Sequence, residues 1–462
     1  MSKIEVNTVA PQCGTTLTLG ESGDTVTLGS GASQSGFGRT GTVDWQTGDI
    51  KTGDFTAATG KGYFINTTVA TITATLPLSP TAGDIVGLKD YALTWDTNSC
   101  FIGRNGSPIN GATGSTLEIS TEGATIMLVY VDGVKGWIPT QDDASALTPV
   151  NPTFIAATGG TPTTSGDYKI HTFTSPGTLC VSAAGNAAGN NKIDYLVVAG
   201  GSGGGWDRGG GGGAGGFRES KQTGAPWSAS PIATCVGITA LVQGYPIVVG
   251  GGGAGGSSGK GVNGSNSSFS TIISAGGGGG GAANPPASCN AAAVGSDGGA
   301  GGGASSGPPS VKAGGAGNTP PVSPSQGFPG GSSAPGTCSP SGSLPGAGGG
   351  GATVQGVNTS AGPGSGTGTA GGAGATTTIS NTPTAYAGGG GGASSTCDSG
   401  GGAGGAGGTG GGGAGAASPG TNVGTAGTVN TGGGGGGGGN GAAQNAGGSG
   451  GSGIVIIKYK FQ

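Results

Sequence analysis

The feature that most constrains this chain is a glycine expanse that begins at Gly200 and ends at Gly453. It includes uninterrupted runs such as 432–439, and two strongly apolar segments bound it, 193–198 before it and 454–461 after it. Short apolar segments of this kind are typical of strands that bury side chains on a core. A disordered tail would not normally end in such a strand, so we predict that the expanse is folded.

Folding so many glycines has a large entropic cost that side chains cannot offset. Glycine supplies 119 of the 462 residues, about a quarter against a usual share of roughly 7%. Glycine loses more backbone freedom on folding than any other residue. At about 1–2 kcal/mol per residue, ordering about a hundred glycines costs on the order of 100–200 kcal/mol. The compensating energy has to come from backbone hydrogen bonds, each worth about 1 kcal/mol net.

One backbone conformation suits these requirements. An extended left-handed helix with three residues per turn makes no internal hydrogen bonds, so its N–H and C=O groups bond to neighbouring chains. Glycine lets those neighbours approach to backbone contact. We therefore predict packed polyglycine II-like helices, hydrogen bonded laterally on several sides. Collagen is excluded because the runs lack a strict Gly-X-Y period. The alternative is flexible low-complexity disorder.

Charge is sparse and unevenly placed. Residues 1–221 carry 18 acidic and 12 basic groups, whereas residues 222–462 carry 2 acidic and 4 basic groups. The second half cannot neutralise many phosphates, so no nucleic-acid partner is expected. No apolar run approaches the roughly 18–20 residues of a membrane span, so no membrane insertion is expected either. Residues 1–6 lack the apolar core of a secretory signal.

No residue pattern predicts a metal, a cofactor or catalysis. His171 is the only histidine, and the seven cysteines lie 49 to 87 residues apart without a Cys-x-x-Cys pair. Zinc needs clustered ligands, and a triad needs a base near its nucleophile. Between residues 223 and 453 only Asp297 and Asp398 are acidic, too few to predict a glycosidase pair. We expect a non-catalytic protein with isolated thiols, although pairing between chains stays open.

The chain divides into four predicted regions. Residues 1–40 form an N-terminal fibre or attachment segment, in which a Thr-Leu-Thr-Leu-Gly pattern at 16–20 recurs as Thr-Val-Thr-Leu-Gly at 25–29. Residues 41–140 form a β-sandwich or barrel-like module, residues 141–180 a Pro/Thr/Ser connector with one possible strand at 168–173, and residues 181–462 the glycine-rich distal domain. The two repeat strands need partners, either from identical chains or from the following domain.

The module over 41–140 has the clearest strand signals. Candidate strands cover 63–65, 71–76, 84–88, 117–119, 125–131 and 134–138. Asp132-Gly133 between the last two is a strong hairpin signal, and Asn105-Gly106 and Asn110-Gly111 indicate tight turns. No stretch shows sustained helical periodicity, so the predicted fold class is all-β. Beyond residue 281 the pattern predicts no further strands until Ile454.

The non-glycine segments do not fit inside a polyglycine sheaf, so they are expected as loops at its ends or as residues on its rim. The candidate segments are 284–297, 308–345, 376–387 and 418–430. Exposed aromatic and proline residues on rigidly held loops are suited to stacking on sugars or contacting apolar protein patches. The candidate receptor-binding residues are Pro320, Pro321, Phe328, Asn381 and Tyr386. The alternative for each aromatic ring is packing against the rim.

Several stretches resemble bacteriophage tail fibres. The segment Ile-Asp-Tyr-Leu-Val-Val-Ala-Gly-Gly at 193–201, the run 210–218 and the ending Gly-Gly-Ser-Gly-Ile-Val-Ile-Ile at 450–457 look like the glycine-rich distal domain of such fibres. Residues 62–68, 83–86, 102–106, 128–130 and 136–137 look like a β-module common in them. The chain departs from that pattern in its long Pro-Ser segments and in the fibre-like repeat at its start.

The resemblance implies a homotrimeric fibre in the virion, assembled in the host cytoplasm. Its N-terminal segment would attach to tail or baseplate proteins, and its distal end would bind a host surface glycan or outer-membrane protein. We therefore expect a tail fibre that adheres to a host receptor without catalysis. The alternatives are a purely structural fibre or surface-filament subunit, and a polysaccharide-depolymerising tail spike.

Overall fold

The computed structural model describes residues 43–114, 116–142, 152–186, 189–283, 292–307, 310–335, 344–360, 366–395, 402–418, 423–440 and 446–462. The chain forms two compact units, Met1–Val150 and Asn151–Gln462. The predicted repeat segment 1–40 lies outside the described residues. Within the described ranges the protein contains β-strands and no α-helix, which confirms the all-β prediction. Accordingly, no helix among the described residues could span a membrane.

The first unit contains nine strands in two sheets. They are β1 Asp44–Trp45, β2 Phe55–Thr56, β3 Lys61–Ile65, β4 Ile72–Thr75, β5 Ile85–Asp90, β6 Cys100–Gly103, β7 Leu117–Ile119, β8 Thr125–Asp132 and β9 Gly136–Asp142. One sheet has the order β1-β3-β5-β8-β9 and the other β2-β4-β6-β7. Every candidate strand predicted for this region is present, so the predicted sandwich-like module is confirmed.

The first unit's connectivity is less simple than its strand pattern. From β1 to β6 the chain alternates between the two sheets, and the successive strands of each sheet pair in parallel. The last strands add antiparallel pairs. Inward side chains of both sheets form one core that includes the fully buried Trp95, Trp137 and Ile65. Period-two patterning identifies the buried face of each strand, but it does not specify which strand lies beside it.

The predicted hairpin at Asp132-Gly133 is also present. The Oδ1 atom of Asp132 accepts hydrogen bonds from the backbone N–H groups of Val134 at 2.8 Å and Lys135 at 2.6 Å. Gly136, which opens β9, has φ +70°, and a Cβ there would lie 1.8 Å from the carbonyl oxygen of Pro108. Glycine is therefore required at that position on both conformational and steric grounds.

The second unit contains thirteen described strands. They are β10 Ile155–Thr158, β11 Thr161–Ser165, β12 Tyr168–Phe173, β13 Gly177–Ala184, β14 Lys192–Val198, β15 Phe217–Glu219, β16 Ile238–Thr239, β17 Gly244–Val248, β18 Ser267–Phe269, β19 Ile272–Ser274, β20 Ala375–Thr377, β21 Thr384–Tyr386 and β22 Ile454–Lys460. One sheet has the order β10-β13-β17-β18-β19. Another has the order β11-β12-β22-β14-β15, with β16 paired to β14, and β20 and β21 form a hairpin.

The last strand of the chain is central to this unit. β22 pairs antiparallel with both β12 and β14, the strand that precedes the first glycine run. Its alternate side chains enter two different cores. Val455, Ile457 and Tyr459 pack on the side of the β10–β19 sheet, whereas Ile454 and Ile456 pack on the opposite side. The two apolar segments that bound the glycine expanse are therefore hydrogen-bonded neighbours.

The prediction of an extended connector over 141–180 is wrong for most of its described part, although the possible strand at 168–173 is present as β12. Residues 155–158, 161–165 and 177–184 form the further strands β10, β11 and β13, and the four strands contribute to both sheets. The Thr- and Pro-rich composition conceals an alternation in which Leu179 and Val181 are buried and their neighbours exposed. His171 is also buried here, with Nδ1 2.6 Å from the carbonyl oxygen of Gly159 and Nε2 3.0 Å from the Tyr459 hydroxyl. Pairing with β22 supplies the core that the local sequence lacks.

The absence of strands beyond residue 281 is a second expectation that fails. The hairpin β20–β21 lies inside that stretch, and its side chains Ala375 and Tyr386 are buried with Ile379. Its sequence is rich in threonine, a residue that favours strands, but it lacks the long apolar run by which the other strands were recognised.

Candidate functional site

The glycine runs pack as a lattice of backbones. The run 200–205 donates its successive N–H groups to three neighbours in turn, and every third residue returns to the same neighbour. Its carbonyl groups accept from three further neighbours with the same period. The donor contacts are to residues 210–213, 262–265 and 448–451, and the acceptor contacts are to 253–256, 277–280 and 435–438.

This bonding pattern defines the conformation of the runs. Return to the same neighbour at every third residue means three residues per turn, the repeat of polyglycine II. Six surrounding runs satisfy both polar groups of each residue, which is what a buried backbone requires. The run 209–216 is bonded to its neighbours in the same way. The predicted sheaf of laterally bonded helices is confirmed.

The lattice leaves room for few side chains in its interior. A Cβ built on Gly204 would lie 2.0 Å from the carbonyl oxygen of Gly436, and one on Gly211 would lie 2.0 Å from that of Gly390. Small side chains are accepted at some positions: Ala214 packs in a hydrophobic core, and Ser202 Oγ donates to backbone carbonyl oxygens of two neighbouring runs at 3.0 and 2.7 Å. The glycine runs therefore act as a scaffold, and specific recognition has to come from residues at the ends or on the rim.

The scaffold has two ends, defined by where the runs begin and stop. At the strand end, runs continue directly into β14, β15, β17, β18, β19, β20, β21 and β22. At the opposite end, called the free end, the described chain reverses at 206–208 and 257–260.

Three of the predicted binding residues share one loop at the strand end. Pro320 and Pro321 are exposed, and the Phe328 ring is 37% exposed. Gln326 fixes this loop, because its Nε2 donates to the carbonyl oxygen of Pro320 at 2.8 Å and its Oε1 accepts from the N–H of Ala275 at 2.9 Å. The two hydrogen bonds of Gln326 therefore hold the loop in place, as expected for a loop that presents binding residues.

The other two predicted residues lie on the β20–β21 hairpin. The Tyr386 ring is only 5% exposed and packs in the core, so it acts as a packing residue rather than a contact surface. Asn381, in the turn of the hairpin, has φ +71°, and its Oδ1 accepts a hydrogen bond from Lys458 Nζ at 3.0 Å. No hydrogen bond among the described residues joins this hairpin to the loop that carries Pro320.

The free end carries aromatic and charged residues that are not among the predicted receptor-binding residues. The turn 206–208 places Trp206 beside the 257–260 turn. The backbone N–H of Trp206 donates to the carbonyl oxygen of Gly259 at 3.1 Å. Arg208 Nη2 lies 3.2 Å from Asp207 Oδ2, and both residues have positive φ. Lys260 lies on the adjacent turn and is partly exposed. In a domain so poor in charge, the interruption of the glycine run by residues 206–208 is the sequence feature that indicates a candidate surface at this end.

Buried ionisable groups lie at the strand end, on the face of β14, β15 and β22 that contacts Trp227. Glu219 and Asp194 are each 1% exposed, and Lys458 is 3% exposed. Burial raises the pKa of Asp194 to about 6 and raises the pKa of Glu219 above its ordinary value. Burial also lowers the pKa of Lys458 to about 8. Glu219 Oε2 accepts from the Ser230 N–H at 2.8 Å, whereas Oε1 has no partner among the described residues.

This environment predicts that Glu219→Gln stabilises the protein near neutral pH. A carboxyl whose pKa is raised on folding is favoured in its protonated form, so wild-type stability falls as pH rises from 4.5, the ordinary pKa of a glutamate. Glutamine keeps the acceptor for Ser230 without the buried charge. We expect the variant to have the higher melting temperature at pH 7 and no advantage at pH 4, measured by thermal unfolding. A difference in melting temperature between the variant and the wild type that is the same at all pH values would contradict this prediction.

Thiols do not form a site in the described chain. Cys100 is buried, and Cys180 and Cys235 are exposed and unpaired with one another. The remaining four cysteines lie outside the described residues. Burial raises the pKa of the Cys100 thiol to about 12, which makes it unreactive at neutral pH. Within the described ranges no group of His, Cys, Asp and Glu side chains could hold a metal ion.

Together, the lattice and its two ends define an all-β protein built around a polyglycine II scaffold. Residues 174–460 match the family of glycine-rich domains, and this match covers more than half of the chain. The chain therefore belongs to that family. A comparison with curated proteins gave no significant match.

Proposed function

We propose that the protein is a bacteriophage tail fibre that adheres to a receptor on the host surface and has no catalytic activity. The observation that supports this most is the lattice itself, which consists almost entirely of backbone and holds chain reversals at one end. A scaffold of this kind suits presentation of recognition segments. The resemblance of the bounding strands and of the first unit to tail-fibre modules supports the same proposal.

Receptor contact is assigned to the free end. Within the second unit, β10 is the first described strand and lies in a sheet at the strand end, opposite to the free end. The described free-end turns carry Trp206, Arg208 and Lys260. Tryptophan and arginine are the residue types that most often dominate binding energy at interfaces. The strand-end loop with Pro320, Pro321 and Phe328 is the competing surface.

Cell binding by paired variants tests this assignment. We expect the double variant Trp206→Ala with Lys260→Ala to bind susceptible cells at least about tenfold more weakly, because it removes an aromatic anchor and a cation together. Phe328→Ala, the matched strand-end variant, should bind as the wild type does. Circular dichroism and melting temperature of each variant establish that the fold is kept.

The remaining outcomes discriminate among the proposals. Weakened binding by Phe328→Ala alone would place the receptor contact at the strand end. Absence of wild-type binding to any susceptible cell would refute adhesion. A closed trimer is expected by sedimentation, whereas open-ended polymers would favour a surface-filament subunit. Release of sugar from host polysaccharide would indicate a depolymerase. Detection of the protein in purified virions, attached through its N-terminal segment to tail or baseplate proteins, is expected.

A further inference from the structure

A buried amine and a side-chain amide are held against each other at the strand end. Lys458 lies on the central strand β22 and is 3% exposed. Its Nζ donates to Asn381 Oδ1 at 3.0 Å and to the carbonyl oxygen of Ile379 at 3.3 Å. The Trp227 and Tyr168 rings flank the amine at 5.4 and 5.8 Å from their centroids. No carboxylate lies within ion-pairing distance of this amine among the described residues.

We propose that Lys458 and Asn381 react to form an intramolecular isopeptide bond. The Lys458 Nζ lone pair attacks Asn381 Cγ, a new Nζ–Cγ bond forms and the Cγ–Nδ2 bond breaks. The proton lost from Nζ is transferred to Nδ2, which leaves as ammonia. The products are one secondary amide and one ammonia, so no oxidant, reductant or co-reactant is required.

The surroundings favour each requirement of this reaction. A lysine amine is nucleophilic only when neutral, and desolvation among apolar and aromatic groups is a recognised way to obtain the neutral form. Burial lowers the pKa of Lys458 to about 8, so a useful fraction is neutral near physiological pH. The contact with Asn381 Oδ1 places the amide carbon next to the attacking nitrogen, which is the proximity that the reaction needs.

A carboxyl group is available to relay the proton. Asp194 is the register partner of Lys458 across the β14–β22 pair, so both side chains lie on the same face of the sheet. Asp194 accepts from the Gln222 N–H at 3.0 Å and from Ser220 Oγ at 3.3 Å, which hold its carboxyl in place. Glu219, on β15, is the other carboxyl on this face. Asp194 is therefore assigned a positioning and proton-relay role.

The bond would tie the last strand to the glycine domain. Asn381 and Lys458 are 77 residues apart in sequence, and the segment between them includes several lattice runs. A covalent link across so long a loop restricts the unfolded chain strongly. It would also prevent β22 from separating from the hairpin under load, which is useful to any protein that bears tension. This consequence does not depend on receptor binding.

Intact-mass spectrometry of the purified full-length protein under denaturing conditions tests the proposal. We expect the wild-type mass to fall below the mass of the sequence by one ammonia, about 17 Da, because the lysine amine displaces the amide nitrogen. Proteolytic mapping should recover one branched peptide containing Lys458 and Asn381. The variants Lys458→Ala and Asn381→Ala should show no such deficit, whereas the control Lys460→Ala should keep it.

The wild-type measurement decides the question even if a variant fails to fold. A wild-type mass equal to that of the sequence, after incubation of folded protein at pH 8, would overturn the proposal. The relay is tested separately with Asp194→Asn, which keeps a hydrogen-bond acceptor but cannot pass a proton. We expect the link to form at least about a hundredfold more slowly in that variant, the usual scale of a lost proton-transfer group. An unchanged rate would remove Asp194 from the reaction.

Discussion

Gly204→Ala is expected to disrupt the glycine domain. The added methyl group would lie 2.0 Å from the carbonyl oxygen of Gly436 and 2.5 Å from its carbonyl carbon. Both belong to a neighbouring backbone that is itself surrounded, so neither run can move without breaking hydrogen bonds on its other sides. Insertion of a methylene into a packed core usually costs about 1–3 kcal/mol, and we expect at least the upper value here. Thermal unfolding followed by circular dichroism measures the loss.

Gly251→Ala is the matched control for this variant. Gly251 belongs to the run 250–256 and is exposed, and a Cβ there would meet no atom within 4 Å. The same substitution at this position reduces only the freedom of the unfolded chain, which usually stabilises by about 0.4–1 kcal/mol. Equal melting temperatures for the two variants would contradict a close-packed lattice. A loss confined to Gly204→Ala would show that packing between runs, not glycine content, maintains the fold.

Truncation of the chain after Gly453 is expected to prevent the second unit from folding. The truncation removes β22, the strand between β12 and β14. Val455, Ile456, Ile457 and Tyr459 on this strand are each at most 1% exposed. Burial of such side chains contributes about 1.5–3 kcal/mol each, which together is comparable with the roughly 5–15 kcal/mol stability of a whole domain. We expect the truncated protein to be insoluble or readily proteolysed.

Truncation after Lys460 is the control, because it keeps the whole of β22 and removes only Phe461 and Gln462. The Phe461 ring packs against the edge of the core and lies 5.7 Å from Lys169 Nζ, at its centroid. We expect a modest fall in melting temperature with the fold retained. Protease resistance of the glycine runs after the longer truncation would contradict the assigned role of β22. It would mean that the lattice folds without the sheet.

The two experiments address different sources of stability in one domain. Gly204→Ala tests backbone hydrogen bonding between runs that have no side chains to bury. Loss of β22 tests the side-chain cores that close the strand end. Because residues 174–460 belong to the family of glycine-rich domains, both results should bear on how such domains fold. The proposed Lys458–Asn381 link would strengthen the same closure covalently, and its presence should be established before the variants are compared.

The candidate binding site could be predicted only in part. Pro320, Pro321 and Phe328 are exposed on a rigid loop, as the composition of their segment predicted. Tyr386 is buried because its segment forms a hairpin, and the face of the hairpin that carries the tyrosine ring packs into the core. A sequence pattern does not state at which end of a lattice a segment lies. The location of these residues at the strand end, opposite to Trp206 and Lys260, follows from the direction of each run.

The sequence by itself determined the local backbone conformation of the glycine runs and of the strands in the first unit. The runs of glycine between 200 and 453 required a conformation bonded to its neighbours, and apolar alternation identified the strands of the first unit. Only the tertiary structure decided which run lies beside which, because every glycine offers the same N–H and C=O groups to any neighbour. It likewise decided that residues 155–184 form sheets, since their pairing with β17 and β22 depends on contacts with residues far away in the chain. Backbone hydrogen bonding favours a lattice of glycine runs, whereas pairing between strands far apart in the chain determines how those runs are arranged.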